Sequence, residues 1–276
     1  MLHIKFHRII LYLCFVLAIC IGRGFTVAAG NEKTTLSLND KMYKCFLESD
    51  QFGMLKLLKQ GANIDYTPSN ELPMLFWAVS HDDFGMVDFL LKNGADPKIL
   101  DSTGGNLLSG VCSVKMAQLL IDRGVSRSHR DSQGYIPLHR AYNAEPELIK
   151  LLAVPRELVN AVSDTGKTPL MSICSASRND SGFDAAKTLL VLGADCKFIG
   201  RGGMTALMFA SASLNPRLIA LLLDSGAEID RQDLDGNTAL HFAAIKPCDG
   251  NIKLLLRRGA NGMLRNYAGR FFYQMP

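Results

Sequence analysis

The feature that most constrains this chain is self-similarity at a fixed period. Gly203-Met204-Thr205-Ala206-Leu207-Met208-Phe209-Ala210 returns as Gly236-Asn237-Thr238-Ala239-Leu240-His241-Phe242-Ala243, offset by 33 residues. Leu222-Leu223-Asp224-Ser225-Gly226-Ala227 returns as Leu255-Leu256-Arg257-Arg258-Gly259-Ala260 at the same offset. The frame extends backwards through Gly166-Lys167-Thr168-Pro169-Leu170, Gly134-Tyr135-Ile136-Pro137-Leu138-His139, Leu107-Leu108 and Pro73-Met74-Leu75. Its anchor leucines, Leu75, Leu108, Leu138, Leu170, Leu207 and Leu240, are spaced by 33, 30, 32, 37 and 33 residues. A first unit runs from Met42-Tyr43-Lys44-Cys45 to Leu57-Leu58-Lys59-Gln60-Gly61-Ala62, and a truncated eighth opens at Gly269-Arg270-Phe271-Phe272-Tyr273. Such a period means a stack of supersecondary units, none of which can bury its apolar face without neighbours.

Within each unit the residues specify a helix pair and a turn. Thr168 followed by Pro169 marks a helix start, with a side-chain cap and a proline whose missing N–H costs nothing in the first turn. Ala78, Ala141, Ala210 and Ala243 keep the first helix slim enough for close packing. Paired leucines close the second helix, and Gly61, Gly94, Gly124, Gly193, Gly226 and Gly259 stand where a left-handed cap is wanted. Three units depart from the pattern. The third is short between its helices, so that Ser113-Val114-Lys115 is expected to serve as the loop. The fourth has Ala153-Val154-Pro155 in place of the closing Gly-Ala, and Pro155 must end its helix. The fifth carries an extra polar stretch, Ser177 to Gly182, which contains the glycosylation sequon Asn179-Asp180-Ser181, relevant in a eukaryotic host.

The unit resembles the ankyrin repeat, which reads D-x-x-G-x-T-P-L-H-x-A and closes with L-L-x-x-G-A-D. The resemblance runs from about Asn39 to the C-terminus. It implies an all-α solenoid of about seven repeats plus a partial C-terminal one, its helix-turn-helix units joined by β-turn or hairpin loops. It also implies a binding protein with no catalytic residue, metal or cofactor, working as a monomer on a protein partner that the sequence does not identify. In such solenoids the concave face of turn tips and first-helix ends makes the contacts. Carried over, the candidate contact residues are Ser69, Asn70, Leu72 and His81 in the second unit, and Ser132, Gln133 and Tyr135 in the fourth. The fifth offers Asp164, Thr165 and Lys167, the sixth Arg201 and Met204, and the seventh Leu234, Asp235, Asn237 and Lys246. Trp77, the only tryptophan, either packs in the core or anchors in a partner's pocket. His139 and His241 fill the H of the motif, a slot that in this family ties neighbouring turns together.

The same register absorbs the catalytic look-alikes. Gly166-Lys167-Thr168 ends like a phosphate-binding loop, but the position that needs the first glycine holds Ala161. Asp164-Thr165-Gly166 is one aspartic-protease triplet without its partner, and a lone carboxylate cannot share a proton with itself. The fifth, sixth and seventh units read Gly-Lys-Thr, Gly-Met-Thr and Gly-Asn-Thr in the same three slots.

Charge matters chiefly at the N-terminus. The chain carries 30 Lys plus Arg against 26 Asp plus Glu, a net charge of +4, which invites a nucleic-acid or membrane reading. Lys5, His7 and Arg8, thirteen mostly apolar residues from Ile9 to Ile21, and small residues up to Ala28 and Ala29 have the order of a secretory signal. The run is short of the roughly 20 apolar residues of a membrane span, so an uncleaved anchor is the competing reading. A lipoprotein box at Leu17-Ala18-Ile19-Cys20 is disfavoured by Ile19. The expected organisation is a signal peptide at 1–29, a linker at 30–38 and the repeat domain at 39–276. Removing the signal takes Lys5, Arg8 and Arg23 and no acid, leaving 27 basic against 26 acidic residues. The basic balance then points to export, with no nucleic acid and no membrane for the mature form. Cys45, Cys112, Cys174, Cys196 and Cys248 remain, an odd count without a C-x-x-C pair. The first three fall in small apolar slots, and Cys196 and Cys248 are expected to be exposed. The function expected is that of a periplasmic or secreted, non-enzymatic protein that inhibits or protects an exported enzyme. The alternatives are a secreted effector binding a host protein, and an enzyme with a cryptic site in repeats three to five.

Overall fold

The computed structural model describes residues 36–68, 71–176, 182–213, 215–245 and 249–275. The segment 1–29, most of the linker, the sequon, Ser69, Asn70, Lys246 and Cys248 lie outside the described residues. Among those described there is no β-strand, and the elements are α-helices and short 3₁₀ turns. The chain divides into two compact units, the first ending at Ser102 and the second beginning at Thr103.

The first compact unit holds two helix pairs, α1 (Leu38–Leu47) with α2 (Gln51–Lys59), and α3 (Met74–Ser80) with α4 (Phe84–Lys92). Local caps set three of the four starts. Ser37 and Asp40 form a reciprocal capping box at α1, Asp50 accepts the Gly53 N–H at 2.9 Å at α2, and Asp83 accepts the Met86 N–H at 3.0 Å at α4. Met42, Phe46, Met54, Met74 and Leu90 fill the core between the pairs. Trp77 is only 4% exposed, meets the Phe46 ring edge-on at 5.5 Å and stacks on His81 at 3.7 Å. It is a packing residue of the first compact unit, so the surface-anchor alternative falls.

The second compact unit continues the frame with α5 (Val114–Asp122), α6 (Pro146–Leu152), α7 (Pro169–Ala176) with α8 (Phe183–Val191), α9 (Ala206–Ser211) with α10 (Pro216–Asp224), and α11 (Ala239–Ile245) with α12 (Asp249–Arg257). The six anchor leucines are all buried, none more than 2% exposed, which is why the period was visible at all.

The third and fourth repeats correct the expectation of a helix pair throughout. Their first helices are single 3₁₀ turns, Leu107–Gly110 and Pro137–Arg140. The shortening of the third repeat comes out of its first helix, not its loop. Ser113 is the N-cap of α5 and accepts the Met116 N–H at 3.2 Å, while Val114 and Lys115 form the first helical turn. Val114 follows Leu108 by six residues, whereas Phe84 follows Leu75 by nine, so there is no chain left for a full first helix.

In the fourth repeat α6 ends at Leu152 ahead of Pro155, as expected, and a 3₁₀ turn at Arg156–Asn160 replaces the Gly-Ala closure. That turn delivers Asn160, whose side chain accepts the Asp195 N–H at 2.9 Å and donates to the Gly193 carbonyl at 3.0 Å. Asp65 and Asp230 perform the same bridging elsewhere, accepting the Asp96 N–H at 3.1 Å and the Asn261 N–H at 2.8 Å. A different local fold thus preserves the contact between repeats.

Two cysteines also sit otherwise than expected. Cys112 is exposed because the slot it occupies no longer belongs to a helix. Cys196 is buried, its thiol 3.1 Å from the Ser225 carbonyl of the next repeat. Cys174 is fully buried and burial pushes its thiol up to about 12, so it has almost no thiolate at neutral pH. Maleimide labelling of the native protein followed by peptide mapping should therefore modify Cys112 first and leave Cys174 untouched until denaturant is added. Equal labelling of both in native buffer would contradict this packing.

Candidate partner-binding surface

The surface begins with the turns, because five of them close on themselves and most then hydrogen-bond to a neighbour through the backbone. The self-closing bonds run from the N–H of Asp131, Ser163, Gly200, Asp233 and Asn266 to the carbonyls of Tyr135, Lys167, Met204, Asn237 and Arg270, all at 2.9 Å. Between repeats, Ser132 N–H donates to Thr103, Asp164 to Gln133, Leu234 to Gly202 and Tyr267 to Asp235, at 2.9–3.0 Å. Between the fifth and sixth turns the link is a close backbone approach of Arg201 to Gly166, and side chains add further bridges between the turns.

Histidines stitch the bases of the same turns. His139 Nδ1 accepts the Ile136 N–H at 3.2 Å, so its Nε2 must carry the proton that it gives to the Lys167 carbonyl at 3.0 Å. Burial, above all, pulls His139 down to about 4, so it stays neutral. His241 repeats the arrangement with Thr238 and the Arg270 carbonyl. Arg130 does a related job through one guanidinium nitrogen, donating to the carbonyls of Gly134 at 3.0 Å and Val162 at 2.9 Å. Gln232 copies it at Gly236 and Arg265.

Of the expected contact residues, Tyr135, Thr165 and Lys167 are brought together with Arg201 nearby. The Tyr135 hydroxyl lies 2.8 Å from Thr165 Oγ1, which lies 2.8 Å from Ser163 Oγ. Lys167 Nζ sits 4.5 Å above the centre of the Phe209 ring and 3.4 Å from Ser175 Oγ. Arg201 packs against Gly166 so closely that a Cβ there would lie 2.6 Å from its backbone nitrogen. Ser132, Gln133, Asp164 and Asp235 are exposed tip residues, and Leu234 is 73% exposed. Met204 is half-buried. Asn237 is occupied structurally, its Oδ1 accepting from Asn266 Nδ2 at 2.9 Å. Leu72 and His81 belong to the first compact unit, and only Leu72 is well exposed there.

Sequence reasoning missed three members of this patch, Arg130, Arg140 and Phe209. Arg140 pairs with the buried Asp131, and its guanidinium lies 5.9 Å from the Tyr135 ring centre. Burial opposes the charge on Asp131, but the bond from Arg140 and the N–H groups of Gln133 and Tyr135 outweigh it and hold the carboxyl below the usual carboxylate range. Arg140 and Phe209 share one register slot, directly after the H position, and that shared slot was the available signal.

Among the described residues no group of His, Cys, Asp and Glu is placed to hold a metal, and no helix is long and apolar enough to cross a membrane.

Comparison with known proteins agrees with the fold. The family described as Ankyrin repeats (3 copies) matches residues 75–162, 142–233 and 173–266. An ankyrin repeat protein of Acanthamoeba polyphaga mimivirus is 27% identical over 203 residues, covering 69% of this chain and 26% of its own length. Inversin of Gallus gallus is 36% identical over 115 residues, covering 42% of this chain and 10% of its own length. Palmitoyltransferase ZDHHC13 of Homo sapiens is 24% identical over 227 residues, covering 77% of this chain and 36% of its own length. The chain therefore spans only a minor part of these relatives. The crystal structure of the human ASB11 ankyrin repeat domain superposes with a TM-score of 0.62 at 24% identity, over 80% of this chain and 98% of that one.

Proposed function

Because the chain belongs to the ankyrin repeat family, we propose that it is an exported, non-enzymatic protein that docks a protein partner on the turn tips and first-helix ends of repeats four to six, inhibiting or protecting an exported enzyme in the periplasm or outside the cell. The observation that carries the reading is the row of turns, each closed by its own backbone bond, joined by a backbone bond between repeats four and five and packed backbone to backbone between five and six, where Gly166 meets Arg201. Tyr135 is held by its bond to Thr165 and Lys167 by the Phe209 ring, which lowers the ordering cost of recognition, and Arg201 stands exposed next to Gly166. Export is supported by the basic, apolar and small-residue order of positions 5–29. A non-enzymatic role is supported by the structural employment of the catalytic look-alikes. Asp164-Thr165-Gly166 is a turn closed by the Ser163 to Lys167 bond, and the Thr168 hydroxyl accepts the Met171 N–H at 3.4 Å at the start of α7.

A photo-crosslinking residue introduced at Arg201 should form one dominant protein adduct in the exported fraction, whereas the same residue at the exposed Lys253 on α12 should not. Adducts of equal yield at both positions, or none at Arg201, would remove this face as the docking surface. Mass spectrometry of the exported form should show a mature N-terminus after Ala28 or Ala29, and an intact Met1 would refute cleavage.

A further inference from the structure

The near-neutral balance downstream of the signal segment is a cancellation. Residues 30–102 carry 7 Lys plus Arg against 11 Asp plus Glu, while residues 103–276 carry 20 against 15. The excess positive charge lies with the second compact unit, and part of it stands on the docking face. Arg130, Arg140, Lys167 and Arg201 all belong to the turns and first-helix ends of repeats four to six. Only Arg140 has a carboxylate partner among the described residues, the buried Asp131. Arg130 is fixed by two carbonyls and Lys167 by the face of Phe209, so both cations are held in place without being neutralised. Asp164 is the exposed carboxylate in the same strip, and at the tip of the seventh turn Asp235 is exposed, while Asp233 is buried and Arg231 stands exposed before it.

We propose that this strip recognises an acidic, extended segment of the partner, its carboxylates pairing with Lys167 and Arg201. The proposal rests on the reading of this face as the docking surface and names the chemistry of what docks. Lys167, held on the Phe209 ring, meets a carboxylate at little ordering cost, exposed Arg201 adds a second positive charge, and exposed Asp235 in the seventh turn disfavours continuation of an acidic segment. A single-stranded nucleic acid fits less well. Base stacking needs open ring faces, and the Phe209 face is covered by Lys167 while Tyr135 packs against His139 at 5.2 Å.

The test uses fluorescence anisotropy of the whole protein with a labelled (Glu-Ser)₄ peptide, the matched (Gln-Ser)₄ peptide and an oligothymidylate of about the same reach. At about 50 mM salt the Glu peptide should bind at least about tenfold more tightly than the Gln peptide, and the advantage should shrink steeply by about 300 mM. The double variant Lys167→Glu/Arg201→Glu should weaken the Glu peptide at least about tenfold. Lys187→Glu/Lys253→Glu, an equal charge change on exposed helical positions of the same compact unit, should alter it less than about twofold. Circular dichroism melts verify that both variants fold. Undetectable Glu-peptide binding, equal affinity for the two peptides, equal loss in the two double variants, or tighter binding of the oligothymidylate would each overturn the proposal. An adduct at position 201 with any of those results would discard only the acidic-segment inference, whereas no adduct there would discard the docking face itself.

Discussion

Gly203→Ala should cost the protein about 3 kcal/mol or more, whereas Gly259→Ala should cost only about 1. Both glycines have positive φ, +77° and +93°, so alanine pays the left-handed penalty at either site. The difference lies in what a new methyl would meet. At Gly259 there is nothing within 4 Å. At Gly203 the methyl would lie 2.9 Å from Asp233 Cα and 2.9 Å from Leu234 N, both backbone atoms of the next turn, which cannot rotate away. Relief would require the seventh turn to move, breaking the Leu234 to Gly202 hydrogen bond on which the alignment of the tips depends. Urea melts followed by circular dichroism should separate the two variants clearly. Equal losses would mean that the turns are not in contact as described.

Acid should remove about 2–3 kcal/mol of stability between pH 7.5 and 4.5 through His139 alone. In the fold its proton affinity is lowered to about 4, against 6.5 for an unperturbed histidine. Below pH 6.5 the unfolded chain binds a proton that the folded chain refuses, so stability is full above about 6.5 and is lost as the pH falls towards 4. The geometry gives the reason. Beside burial, the Arg130 guanidinium opposes a second positive charge, and because Nδ1 accepts the Ile136 N–H, a proton placed there would face another donor. Asp131, whose folded carboxyl is more acidic than usual, adds its own loss only at still lower pH. His139→Gln should lower stability at neutral pH yet flatten the dependence across this window. If the variant and the parent lose equal stability between pH 7.5 and 4.5, His139 is not the titrating group.

The repeat was legible because its anchors are core residues, and burial forces the same residue type into the same slot six times. What was not legible is what happens when a repeat is short. The residues between Leu108 and Ser113 could have been lost from helix or from loop, and only packing decides that the N-cap at Ser113 is kept while the first helix shrinks to a 3₁₀ turn. The exposed turn tips were readable in outline, since Ser132, Gln133, Asp164, Leu234 and Asp235 fall between the buried residues that close each turn. Arg130 and Arg140 escaped because their reach is three-dimensional, one spanning two turns through carbonyls and the other crossing to Asp131. Trp77 shows the converse limit. Its place beside Phe76 fitted both core and surface, and the stacking on His81 and the edge contact with Phe46 were needed to choose.

The burial of that one tryptophan gives the molecule a built-in spectroscopic label. Intrinsic indole emission arises wholly from the first compact unit, while most of the helical ellipticity belongs to the second. Emission and ellipticity recorded along one denaturation curve therefore track different parts of the chain, and any gap between their midpoints measures how far one part unfolds without the other.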